Sequence, residues 1–124
     1  DASVAGDEAV NGARPKPFMV YRNFDLMNVN PIQSVVKVDD TVSGVGEALE
    51  AGCWGVGIAR YSNYMDMDTL EEAASLPEEE IQRRLEKTRE ILQKSGAHYV
   101  IDTFDQLVDV VEDVNVRLAR GERP

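Results

Sequence analysis

Cysteine is almost missing from this chain: Cys53 is the one thiol in 124 residues. A single thiol excludes an internal disulfide, and with it the stapled scaffold of a small secreted domain. Between Gly52 and Trp54, at the start of an apolar run, Cys53 reads as a small buried residue and not as a nucleophile. Histidine is equally scarce. His98 has no second His or Cys near it to build a nitrogen–sulfur metal site, so a structural role is expected. Positive charge is thin as well, with 13 Lys and Arg against 23 Asp and Glu and a net charge of −10. That balance argues against nucleic acid or an anionic membrane surface as a partner. No apolar run approaches the roughly 18 residues of a membrane span, so no membrane span is expected, and no secretory signal is visible. There is no internal repeat and no low-complexity segment.

What remains is one domain's worth of chain, 43% apolar and 6% aromatic, as in ordinary globular proteins. Val4-Ala5 reads as the end of a strand. Pro15 and Pro17 pre-set φ for a helix start, and Phe18, Tyr21 and Leu26 follow at helical spacing to about Met27. Asn28 to Pro31 stops that helix. Val35 to Val38 is nearly continuous in apolar residues, as in a strand covered on both faces. Ser43 to Ala51 is a helix closed by Gly52, and Trp54 to Ala59 is a second strand. Gly55 and Gly57 in that strand allow another element or a ligand to come close.

After a polar loop from Arg60 to Asp68, Thr69 to Ala74 has room for one or two helical turns. Ser75 and Glu78 have the spacing of a capping box around Pro77. The helix it would open runs to about Ser95, with Ile81, Leu85, Thr88 and Leu92 as its buried stripe. Tyr99 to Ile101 is a third strand. Thr103 and Gln106 form another capping box, leading into a helix whose inner face is read as Phe104, Leu107, Val108, Val111, Val114 and Leu118. Strands alternating with helices imply parallel βαβ units, hence an α/β fold with a helix-flanked parallel sheet.

The segment from Val35 to Gly44 is where chemistry would sit, because ligands bind at the carboxyl ends of strands in such sheets. Asp39 and Asp40 there could hold Mg²⁺, a hard ion that takes oxygen ligands and keeps several waters. The alternative is that Asp40 or Thr41 simply caps the next helix, and on spacing alone the cap is favoured. Arg14, just before a Pro-led helix, is the second candidate, since a guanidinium near a helix N-terminus suits phosphate.

Four segments carry a resemblance. They are Ala13-Arg14-Pro15-Lys16-Pro17-Phe18-Met19-Val20-Tyr21-Arg22-Asn23, Val36-Lys37-Val38-Asp39-Asp40-Thr41-Val42-Ser43, Ala51-Gly52-Cys53-Trp54-Gly55-Val56-Gly57 and Gly96-Ala97-His98-Tyr99-Val100-Ile101-Asp102-Thr103. Taken together and in this order, they resemble the C-terminal part of the phosphonoacetaldehyde hydrolase family, within the haloacid dehalogenase superfamily. The resemblance implies a Rossmann-like parallel sheet and Mg²⁺-dependent hydrolysis of a carbon–phosphorus bond. That chemistry uses an aspartate nucleophile and a cap-domain lysine that forms a Schiff base. It makes Arg14 and Thr41 a phosphate-binding pair and Asp40 the metal ligand, with Asp39 as a further metal candidate.

The chain departs from the family pattern at three positions. Ala13 replaces the glycine of Gly-Arg-Pro, Asp39 replaces the glycine before the first acid, and Gly44 stands where the second acid falls. Asp39, one residue before Asp40, is expected to point to the opposite face of its strand. Neither the nucleophile motif nor the cap is found among these residues. The expected domain is therefore 1–124, a single partial core without the nucleophile strand or cap. Its expected role is a degenerate, non-catalytic subunit of a larger assembly, with no catalytic residue and no cofactor of its own. The vestigial phosphate site would be Arg14 and Thr41. The alternative is the C-terminal fragment of a Mg²⁺-dependent phosphonoacetaldehyde hydrolase. In either case another protein chain is expected to cover the apolar strand edge at Val35 to Val38. The residues do not give the compartment. An intracellular one is expected, and the first residue, Asp1, fits removal of an organellar transit peptide as well as a trimmed sequence.

Overall fold

The computed structural model describes residues 12–124; Val4-Ala5 lies outside them. Among the described residues three strands form one parallel sheet in the order β1 (Val36–Asp39), β2 (Trp54–Ile58), β3 (Tyr99–Ile101). The register pairs Val36 with Trp54 and Val56 with Tyr99. The helices around them are α1 (Phe18–Met27), α2 (Val42–Ala51), α3 (Leu70–Ser75), α4 (Glu78–Lys94) and α5 (Leu107–Ala119). The α/β expectation is met. Among the described residues no helix is long and apolar enough to cross a membrane.

Alternation along the strands divides the core in two. Trp54, Val56, Ile58 and Ile101 face Val110 and Val114 of α5, with Val36, Val38, Leu107 and Leu118 at the margin. The other face packs Val45 of α2 and Leu85 and Leu92 of α4 with Met65. On that second face β2 presents Gly55 and Gly57. A Cβ on Gly55 would lie 3.3 Å from the Ala48 Cβ, and one on Gly57 would lie 3.0 Å from the Leu92 Cβ. The glycines admit helices, not a ligand. α1 has no buried residue and rests at the rim, where Val20, Ile32 and Val35 pack beside Ala48, Ala51 and Cys53. Cys53 is fully buried, its Sγ 3.4 Å from the Ala48 carbonyl, and burial pushes its thiol up to about 11. It is the small core residue its neighbours suggested.

Two local expectations are corrected. Ser75 caps nothing: it is the last residue of α3, and its hydroxyl donates to the Glu72 carbonyl. α4 instead starts after an extended Pro77, with Glu78, Glu79 and Glu80 in its first turn favouring the positive helix end. The working N-cap in this region is Thr69, which accepts from the Glu72 N–H (3.0 Å). In the last helix Phe104–Gln106 is a separate 3₁₀ turn, which shifts the phase of the residues after it. Val110 joins Leu107, Val114 and Leu118 on the inner face, while Phe104, Val108 and Val111 are exposed. The Thr103–Gln106 capping box and the α4 stripe are present as expected. Thr88 in that stripe keeps a buried hydroxyl with no partner.

At the amino end of the sheet, His98 and Gly55 exchange two hydrogen bonds. The His98 N–H donates to the Gly55 carbonyl (2.8 Å), and the Gly55 N–H donates to His98 Nδ1 (3.0 Å). This needs a neutral imidazole. Burial holds the His98 pKa below the usual 6.5, and the Arg117 charge adds to the effect against the Gly55 bond.

Both features can be measured through stability. Gly57→Ala forces Leu92 back and should cost about 1–3 kcal/mol in denaturant unfolding. As pH falls below the 6.5 of a free imidazole, the unfolded chain takes up a proton that folded His98 refuses. Stability from this residue is therefore intact at neutral pH and lost on acidification. His98→Gln, which retains an acceptor, should flatten the urea midpoint between about pH 7.5 and 5.5.

Candidate functional site

The carboxyl end of β1 gathers charge because its alternate residues, Lys37 and Asp39, face α2. Lys37 reaches the Glu47 Oε1 at 2.7 Å, the Gly44 carbonyl at 2.7 Å and Asp39 Oδ2 at 3.2 Å. An ammonium has three protons to donate, and here each has an acceptor. Glu47 projects from α2 and is 2% exposed, with its second oxygen, Oε2, left without a partner.

Asp39 is the meeting point. Its Oδ1 accepts from the Thr41 N–H (2.9 Å) and Thr41 Oγ1 (2.7 Å), and its Oδ2 accepts from Arg14 Nη1 (3.0 Å) beside Lys37. Burial alone would raise its carboxyl. The Thr41 hydrogen bonds and the Lys37 charge outweigh that and hold it below the usual 3.8. The Thr41 hydroxyl also accepts from the Gly44 N–H (3.0 Å), so Thr41 is the N-cap of α2.

Asp40 lies past the end of β1 and enters through its carbonyl, which accepts from Ser62 Oγ (2.7 Å). The Tyr64 hydroxyl accepts from the Val42 N–H (3.1 Å), so the loop after β2 braces this turn from the far side. Asp40 forms no ion pair among the described residues, and no group of three or more His, Cys, Asp or Glu is arranged there to hold a metal.

Beside this corner a groove of about 450 Å³ runs between α1 and the outer edge of β1. Arg14, Lys37 and Glu47 line it together with Val20, Phe24 and Val36. Asn23 on the same wall has a buried Oδ1 with no partner. Among the described residues β1 pairs only with β2, so its other edge faces this groove.

Of the residues expected at the site, Arg14, Asp39, Asp40 and Thr41 are brought together. Asp39 is the last residue of β1 and turns toward α2 with Lys37. Thr41 spends its hydroxyl on the helix cap. Lys37 and Glu47 escaped the sequence reading. The available signals were a lysine inside an apolar strand and a glutamate among Gly44, Val45, Gly46 and Ala48.

The pair gives a direct test. Lys37→Met leaves the Glu47 carboxylate buried without its cation and should destabilise by about 3–5 kcal/mol, whereas Lys37→Met with Glu47→Leu should recover most of that loss. Urea unfolding of both forms reads the difference.

No protein-family model matches the chain. The phosphonoacetaldehyde hydrolase of Klebsiella pneumoniae is 41% identical over all 124 residues, which span 46% of that protein. The phosphonoacetaldehyde hydrolase of Aeromonas hydrophila is 42% identical over 124 residues, 44% of its length. The crystal structure of a phosphonoacetaldehyde hydrolase-like protein from Oleispira antarctica matches with a TM-score of 0.87 at 39% identity. That match covers 93% of this chain and 41% of the other. The chain spans less than half the length of the relatives it matches.

Proposed function

We propose that this chain, similar along its whole length to part of the phosphonoacetaldehyde hydrolase-like proteins of the haloacid dehalogenase superfamily, carries the phosphate-side corner of such an active site. The observation that carries the proposal is the Arg14 guanidinium, fixed by Asp39 at the carboxyl end of β1 next to Asp40. The parent reaction would be hydrolysis of the carbon–phosphorus bond of phosphonoacetaldehyde. In that reaction the nucleophile and the Schiff-base lysine would have to be supplied by residues other than those of this corner.

In this proposal Arg14 binds and orients the phosphonate. Arg14 has five N–H donors, and Asp39 accepts from one of its nitrogens, Nη1. Thr41 acts indirectly, keeping the first turn of α2 in place through its bonds to Asp39 and Gly44. The fit to Mg²⁺ is partial. Asp39 is saturated by protein donors, and the unpartnered Glu47 Oε2 is buried beside Lys37, which leaves Asp40 as the acid of this turn that could hold the ion; Mg²⁺ is often held by one or two carboxylates and waters. Such an ion would supply charge neutralisation at the phosphoryl oxygens.

A segment pairing with the outer edge of β1 belongs to the same proposal. It would line the groove and offer donors to the orphaned oxygens of Asn23 and Glu47.

The second reading is a non-catalytic subunit of a larger assembly, favoured by the lack of a three-ligand metal group among the described residues. One experiment divides the two. The intact protein, its length established by mass spectrometry at the source, is supplied with phosphonoacetaldehyde and Mg²⁺. Release of acetaldehyde and phosphate, with Arg14→Ala lowering kcat/KM by about 10²-fold or more, is the expected result. A folded intact protein that releases neither would sustain the non-catalytic reading.

A further inference from the structure

The carboxyl ends of β2 and β3 open on a second cavity of about 450 Å³, which shares no lining residue with the groove at β1. Residues between Arg60 and Ala73, after β2, form most of its wall, and Thr103, after β3, completes it. Strand carboxyl ends are where small ligands bind in parallel α/β sheets, and a volume of this size suits one.

Several polar groups of this cavity are already engaged. Ser62 is 5% exposed, and its hydroxyl donates to the Asp40 carbonyl (2.7 Å). The Thr69 hydroxyl caps α3, and the Thr103 hydroxyl donates to Asp105. Two charges are not engaged. The Arg60 guanidinium reaches only the Met67 sulfur, a weak acceptor, at 3.9 Å. The Asp68 carboxylate accepts no hydrogen bond, and neither residue enters an ion pair among the described residues. Their backbones are held all the same. The Arg60 N–H donates to the Asp102 carbonyl (3.0 Å), and the Asp68 N–H donates to Glu72 Oε2 (2.8 Å). A cation and an anion thus line one cavity from anchored positions without pairing with each other.

The rest of the wall includes apolar groups. Met65 is buried in it, Leu70 is 89% exposed, and Tyr61 is stacked on Phe104 with ring centroids 6.1 Å apart. An apolar body in the cavity would take Leu70 and Tyr61 out of water.

We propose that this cavity binds a small zwitterion with an apolar body, an α-amino acid such as phenylalanine. Its carboxylate lies on Arg60, its ammonium on Asp68, and its side chain against Tyr61 and Leu70. A purely anionic ligand would satisfy Arg60 and be opposed by Asp68, and a purely cationic one would meet the reverse. The two side chains therefore select by repulsion as well as by attraction. Neither Arg14 nor Asp39 takes part, so this site stands independently of the phosphate-binding reading.

Equilibrium dialysis of the intact protein against labelled L-phenylalanine is the test. Saturable binding with a Kd of about 1 mM or tighter is expected. Hydrocinnamate, which lacks the ammonium, and phenethylamine, which lacks the carboxylate, should each compete about tenfold more weakly than unlabelled L-phenylalanine. Arg60→Gln and Asp68→Asn should each lower the affinity by about tenfold or more, with the urea midpoint unchanged, because neither side chain holds an ion pair. No saturable binding of L-phenylalanine, L-leucine or L-methionine would overturn the site. Analogues of one charge that compete as well as L-phenylalanine would overturn the zwitterion. So would Arg60→Gln and Asp68→Asn proteins that keep the original affinity.

Discussion

The approach of two helices to a side-chain-free face of β2 governs the geometry of this fold. Gly55 and Gly57 lie on that face, and there α2 comes down to within 3.3 Å of where a Cβ would stand, and α4 to within 3.0 Å. Because α2 sits so low over the sheet, its first turn lies against the end of β1. Gly44, Glu47 and the backbone of that turn then meet Lys37 and Asp39 directly. A bulkier residue on β2 would lift α2 and open the charged corner.

Charge in that corner is organised by burial more than by number. Lys37, Asp39, Glu47 and Arg14 balance two cations with two carboxylates, and the least exposed of them, Glu47, is the one with an unmet acceptor. Burying such a group costs free energy unless it is paired. The network therefore has one right arrangement, and disturbing any member exposes the cost of another. Asp39 shows the balance plainly: burial works against its charge, and its donors prevail. The overall acidity of the chain, −10, says nothing of this, since many of its carboxylates are on solvated helix surfaces such as the first turn of α4.

Much of the architecture is legible from local pattern alone. The β–α alternation, the stripe of Leu85, Thr88 and Leu92, and the glycines of β2 arise from periodicity and steric need, which neighbouring residues encode. The misses share a different cause. Ser75 has the spacing of a cap, but the preceding helix claims it first. The inner face of α5 is displaced because Phe104 to Gln106 winds as a 3₁₀ turn, and a single change of winding rotates every later side chain. Lys37 and Glu47 are ten residues apart, on different elements, so only the packing of α2 on β1 makes them partners. Arg14 and Asp39 lie still further apart. Their pairing emerges from the fold alone, because spacing in the chain carries no trace of it.

The clash between the Asp39 carboxylate and any side chain at 44 ties two positions on different elements to one another. With Asp39 held by four donors, a residue larger than glycine at 44 has to displace it, so the carboxylate keeps this place only while 44 carries no side chain. A change at 44 therefore acts on Arg14 through the Asp39 carboxylate, although 44 and Arg14 share no bond of their own.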